Sequence, residues 1–183
     1  MTKPIVLLAA LLMLTLVAPA QNFRQPDQSP MDMAYYPDYF AHDRKPGDQA
    51  AVRVIYSRPQ ANGREIFGGL VPYGEVWRTG ANEAPEIKFY RDVTIEGQTL
   101  PAGTYALFTI PGKDEWTIIF NQALDYWGAY NYDEQQDVLR ATASVESLDQ
   151  PVEAFSIQFE AGDDTAVMHL AWDDTVASLP IQL

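Results

Sequence analysis

Cysteine is absent from this 183-residue chain, and histidine occurs only at His42 and His169. The first absence excludes disulfides, thiol nucleophiles, cysteine–zinc sites and iron–sulfur clusters. The second leaves a transition metal only two imidazoles, far apart in sequence, so no metal site is expected. Positive charge is scarce too: Lys and Arg number 12 against 25 Asp and Glu, a formal net charge of −13. A surface this negative repels phosphate backbones, which excludes nucleic acid as a general partner. No phosphate-cradling Gly-x-x-x-x-Gly-Lys-Ser/Thr, dinucleotide Gly-x-Gly-x-x-Gly or Asn-x-Ser/Thr acceptor occurs, and no cofactor is expected. Beyond residue 20 no apolar run approaches membrane-spanning length.

The chain does have a leader pattern at its start. Lys3 precedes an uncharged apolar run from Ile5 to Val17, and Ala18-Pro19-Ala20 supplies small residues where a signal peptidase reads. Thirteen apolar residues are few for a bilayer about 30 Å thick, so residues 1–20 read as a cleaved secretory signal peptide. Its removal takes one lysine and no acid, leaving a charge of −14. The expectation is an exported protein, periplasmic or secreted, that is soluble after signal cleavage and lacks a membrane span. Without cysteine, its stability outside the cytoplasm must come from packing and pairing.

Residues 21–50 are rich in Pro, Asp, Gln and Tyr and read as an irregular leader. From residue 51 to 183 the chain reads as a single β-sandwich domain. Ala51–Ser57 is β-branched, and Glu86–Asp92 alternates Ile87, Phe89 and Arg91 with Lys88 and Tyr90. Val93–Glu96 runs to a Glu96-Gly97 turn, and Thr104–Ile110 and Glu115–Asn121 flank a hairpin at Pro111-Gly112-Lys113-Asp114. Val138–Val145, Ala154–Glu160, Thr165–Trp172 and Val176–Leu183 complete the strands, with turns at Asp149-Gln150-Pro151, Gly162-Asp163-Asp164 and Asp173-Asp174. Strands so evenly spaced leave little room for crossover helices. They predict an all-β fold, an antiparallel β-sandwich or jelly-roll-like barrel. One short helix is expected over Asp133–Arg140, where Asp133 and Gln136 match a capping pair.

One connection stands out. Ser57–Glu83 holds five of the eleven glycines and three arginines, far more than a simple turn needs. Long connections in compact domains are uncommon and often functional. Arg58, Arg64 and Arg78 could clamp an anionic group bidentately, with Asn82 adding hydrogen bonds and Tyr73 and Trp77 flat walls. The same arginines could instead pair with Glu65, Glu75 and Glu83 and simply brace a long loop.

The strings YSRPQANGREIFGGLVPYGEVWRTGANE, LPAGTYALFTIPGKDEWTIIFN and YWGAYNYDEQQDVLR resemble an exported bacterial family, domain of unknown function 2911. The resemblance covers about residues 51–145. It implies a predominantly β domain in Gram-negative envelopes, and it implies no reaction, ligand or catalytic residue.

Three functions compete on these residues. The first is a binding module for a polar, anionic or glycan-like ligand, at Arg58, Arg64, Tyr73, Trp77, Arg78, Asn82 and Glu83. The second is an envelope structural or protein-interaction domain. The third is a hydrolase or lyase with Glu83 as base and Arg78 stabilising developing charge. The aromatics of Tyr126–Tyr132 could stack on a sugar or cover a sandwich end. Asp133, Glu134 and Asp137 fit helix capping better than chemistry, and the Asp163-Asp164 and Asp173-Asp174 pairs fit turns better than calcium.

Overall fold

Alternating apolar residues dictate the strands, and a computed structural model describes them over residues 23–162 and 165–183. The signal-peptide pattern of residues 1–20 and the Asp163-Asp164 pair lie outside the described residues. Among the described residues nine strands form one antiparallel sheet: β1 (Met31–Tyr36), β2 (Val52–Ser57), β3 (Glu86–Phe89), β4 (Val93–Ile95), β5 (Gln98–Leu100), β6 (Gly103–Ile110), β7 (Glu115–Asn121), β8 (Asp137–Ala161) and β9 (Thr165–Gln182). Their order in the sheet is β1-β2-β3-β6-β7-β8-β9-β4-β5. The fold is all-β and sandwich-like, as the strand spacing predicts.

The sandwich arises because the β8–β9 hairpin is long and bent. Its first part pairs with β7, Ile118 opposite Ala141. Its second part folds back over β2, where the Tyr56 hydroxyl donates to the Ile157 carbonyl at 3.3 Å and Gln60 bridges Ala154. The layers bury Val54, Ile87, Leu107 and Ile118 against Phe155, Leu170 and Leu179. At about 25 cal/mol per Å2, this apolar burial is the main favourable term for a cysteine-free chain.

Three local expectations need correction. The strand pairs expected around Asp149-Gln150-Pro151 and around Asp173-Asp174 are each one continuous strand, kinked where the register shifts between Ser147 and Val152 and again between Val152 and Ser156. Pro151 cannot donate to a ladder, and Asp173 adopts φ 54°, so both strands carry irregularities opposite each other and bend together. The helix expected over Asp133–Arg140 is a single 3-10 turn, Glu134–Gln136, after which β8 begins. Asp133 does cap that turn, accepting from the Gln135 N–H, but pairing of Leu139 with Phe120 carries the chain off as strand. Within the leader read as irregular, Met31–Tyr36 forms β1, pairing with all six residues of β2. A four-residue helix α1 (Phe40–Asp43) follows it.

The Glu96-Gly97 turn forms as the sequence implies. Both residues have positive φ, 49° and 76°, the geometry of a two-residue hairpin turn between β4 and β5. Among the described residues no helix is long and apolar enough to cross a membrane.

Candidate functional site

The seven residues singled out in the sequence divide by environment. Arg58, just after β2, donates Nε–H to the Phe155 carbonyl at 3.1 Å. Its other nitrogens reach Asp32 at 2.8 Å and Ser156 at 2.7 Å, so the guanidinium ties β1, β2 and β8 together. Arg64 donates to the carbonyls of Ala61 and Gln60 in its own loop. Trp77 is 8% exposed; its ring lies 5.9 Å from Trp172 at 17°, with Phe67, Trp116 and Phe155 around it. Its backbone exchanges two hydrogen bonds with Thr109, at 2.7 and 2.9 Å, which holds the connection alongside β6. Tyr73 is exposed, with its ring against Gly68 and the Lys113 ammonium 5.9 Å above it.

Arg78 is half-buried, and its Nε is enclosed without a partner. The alternative of Arg–Glu pairing in this segment finds no support: among the described residues, none of Glu65, Glu75 or Glu83 makes an ion pair. Sequence proximity of opposite charges sets no geometry, and the one arginine that finds an acid reaches back to Asp32.

Asn82 and Glu83 lie elsewhere, against the loop after β7. The Asn82 carbonyl accepts from Gly128 N–H at 2.8 Å, and Ala84 N–H donates to Tyr126 at 3.0 Å. Glu83 bridges Trp127 between those bonds. The Ser29 backbone N–H and then the Asn82 side chain hold the exposed Asp27 carboxyl below its ordinary pKa.

That loop sorts its aromatics by direction. Tyr126 and Tyr132 turn inward onto Phe108, at ring separations of 5.3 and 5.0 Å. With Ala84, Ala106 and Ile119 they form a small second core on the outer face of β6 and β7. Tyr132 is fixed further by its hydroxyl, which donates to Asp137 at 2.5 Å and accepts from Arg140 at 2.8 Å. Burial, with Asp137 alongside, pushes its phenol up to about 12.

Trp127 and Tyr130 turn outward, 62% and 79% exposed. Their rings are 5.9 Å apart and within 14° of parallel. Gly128 between them has φ 72°, and a Cβ there would lie 2.8 Å from the Tyr130 ring. The positive φ favours glycine there, and any side chain would have to displace the Tyr130 ring. Glu83, whose backbone bridges Trp127, also lines a cavity of about 220 Å3 with Met31, Ile55, Ala84, Glu86, Asp125 and Tyr126, and neither exposed ring is part of that lining. Exposed parallel rings can stack on the apolar face of a sugar, and carboxylates can accept its hydroxyl protons.

The sequence reading overlooked Arg44 and Arg53, which line a larger cavity beyond β1. The signal was available: Arg53 interrupts the apolar run of β2 as Lys88 interrupts that of β3, and antiparallel pairing sets them opposite each other. His169 contacts Ser178 through Nδ1 at 2.8 Å and lies 3.3 Å from Glu160 through Nε2. Among the described residues no three His, Asp or Glu gather in metal-binding geometry.

The family described as Protein of unknown function (DUF2911) matches residues 41–181. No curated protein matches the chain, and no solved structure does.

Proposed function

The chain belongs to the DUF2911 family, and from that premise we propose that it is an exported carbohydrate-binding protein. A neutral sugar stacks on Trp127 and Tyr130, and Asn82, Glu83 and Asp125 take its hydroxyls. The carrying observation is the outward, near-parallel ring pair on a backbone pinned at Asn82 and Ala84. Rings that merely covered a sandwich end would turn inward and be partly buried as Tyr126 and Tyr132 are, whereas these expose most of their surface. Pre-organisation reduces the entropy cost of binding. Glu83, paired through its backbone with Trp127, and Asp125, two residues before it, repel an anionic sugar and favour a neutral or amino-bearing one. The leader pattern of residues 1–20 supports export to the envelope, where such glycans occur. In this reading the mature protein is one β-sandwich domain over 51–183, with β1 added from the segment before it.

The arginine-rich part of the Ser57–Glu83 connection is better read as scaffold. Arg58 has all three nitrogens engaged across three strands, and Trp77 belongs to the core. No hydrogen bond or ion pair joins Arg78 to Glu83 among the described residues, so the hydrolase or lyase reading has no coupled pair to support it.

Tryptophan emission tests the proposal directly. Of four tryptophans, Trp77, Trp116 and Trp172 are buried, so changes on adding a sugar report Trp127. Titration with chitotriose, cellotetraose and maltotetraose is expected to blue-shift the emission and protect it from acrylamide for at least one of them. Tyr130→Ala should weaken that binding by about tenfold, the scale of one lost stacking contact. Emission unchanged by all three sugars rejects the reading.

A further inference from the structure

The outer face of β1–β2–β3 carries a second, chemically opposite site, and we propose that it binds the oxyanion group, carboxylate or phosphate, of a small molecule. Strand register builds it. Arg53 lies directly between Tyr35 on β1 and Lys88 on β3, so two cations sit opposite each other across the ladder. Like charges in that position destabilise a sheet. An acid could relieve the repulsion, and acids outnumber bases about two to one in this chain. Yet among the described residues none of Arg44, Arg53 and Lys88 makes an ion pair.

Arg53 Nε is also shut off from solvent with no acceptor. A buried donor left unpaired is costly, and native structures rarely keep one without a reason. Arg53 lines a cavity of about 600 Å3 between this sheet face and the loop after α1, with Tyr35, Phe40 and Tyr90 as walls and Arg44 on the far side. The volume suits one small ligand. Lys88 holds its ammonium 4.7 Å over the Tyr90 ring. Asp48 also lines the cavity; one of its oxygens accepts the Lys45 backbone N–H at 2.9 Å, and against its single negative charge stand the two guanidinium groups of Arg44 and Arg53. The set offers guanidinium forks, which grip planar carboxylates and tetrahedral phosphates bidentately.

This site shares no lining residue with the aromatic pair and stands independently of the carbohydrate reading. Calorimetric titration of the full chain with inorganic phosphate and with D-glucuronate, against potassium chloride at matched ionic strength, tests it. Saturable binding of either is expected: phosphate alone identifies a phosphate ester as the natural group, and glucuronate alone a carboxylate. Arg53→Gln should lower the affinity by about tenfold or more, the loss expected for a hydrogen bond to a charged group. Without ligand the same variant should melt no lower than the parent, because it relieves the repulsion with Lys88. If that variant fails to fold, Arg44→Gln, on the cavity's other side, must show the affinity loss instead. Binding of neither anion above the chloride control overturns the proposal, as does parental affinity in the folded variants.

Discussion

Tyr132 shows how one side chain couples the aromatic loop to the sheet. Its phenol is held at about 12 by burial and then by the hydrogen bond to Asp137, above the ordinary value near 10. The folded state therefore keeps a proton that the unfolded chain releases between about pH 10 and 12. Stability from this group is fully present below pH 10 and is lost as pH rises through 12. Burial raises Tyr56 and Tyr105 as well, with the same sign. Spectrophotometric titration should show a phenol class ionising near pH 12, and Tyr132→Phe should remove one member and flatten the alkaline loss of stability. At this scale the sequence was legible in residue type and not in partner. Asp133 as a cap could be read from its neighbours, because the cap is local. Arg58 could not: it bonds Asp32 and Ser156, 26 and 98 residues away, instead of the nearby glutamates. Trp127 and Tyr130 could be noticed as a cluster, but which rings face solvent is decided by Phe108 beneath their neighbours.

At the scale of elements, the Ser57–Glu83 connection behaves as part of the core. Ile66, Phe67, Val71 and Trp77 are all buried in it. Trp77→Ala should therefore cost about 3–5 kcal/mol, the range for deleting a buried aromatic. Arg64→Ala, an exposed change confined to its own loop, should stay within about 0.5 kcal/mol. Guanidinium unfolding of the two variants measures both, and comparable midpoints would show that the connection is not integral to the core. The strands were legible wherever alternation is strict, as in β3 and β4, because a period of two reports one buried face. The length of β8 and β9 was not. Pro151 and Asp173 carry the same residue chemistry whether a chain turns back or only kinks. Pairing between residues far apart in the chain decides which, and no local window contains it.

At the scale of the whole molecule, the outer face of β1–β2–β3 holds two surfaces of opposite character. Ile55 and Glu86 stand in the row next to Arg53 and Lys88, a step of about 7 Å along the strands. Acids rim one end and cations the other, inside a chain whose formal charge is −13. Salt separates their consequences, because the Debye length shrinks from about 8 Å at physiological ionic strength to about 3 Å at 1 M. Screening weakens self-repulsion of the folded chain, so the melting temperature should rise with sodium chloride. Over the same range, phosphate or glucuronate affinity should fall, since it depends on guanidinium charge. Sugar stacking on Trp127 uses dispersion and hydrogen bonds to uncharged hydroxyls, so its affinity should hold steady. A sugar signal that declined in step with the anion signal would mean that both ligands meet one electrostatic surface, and the division of this face into two sites would fail.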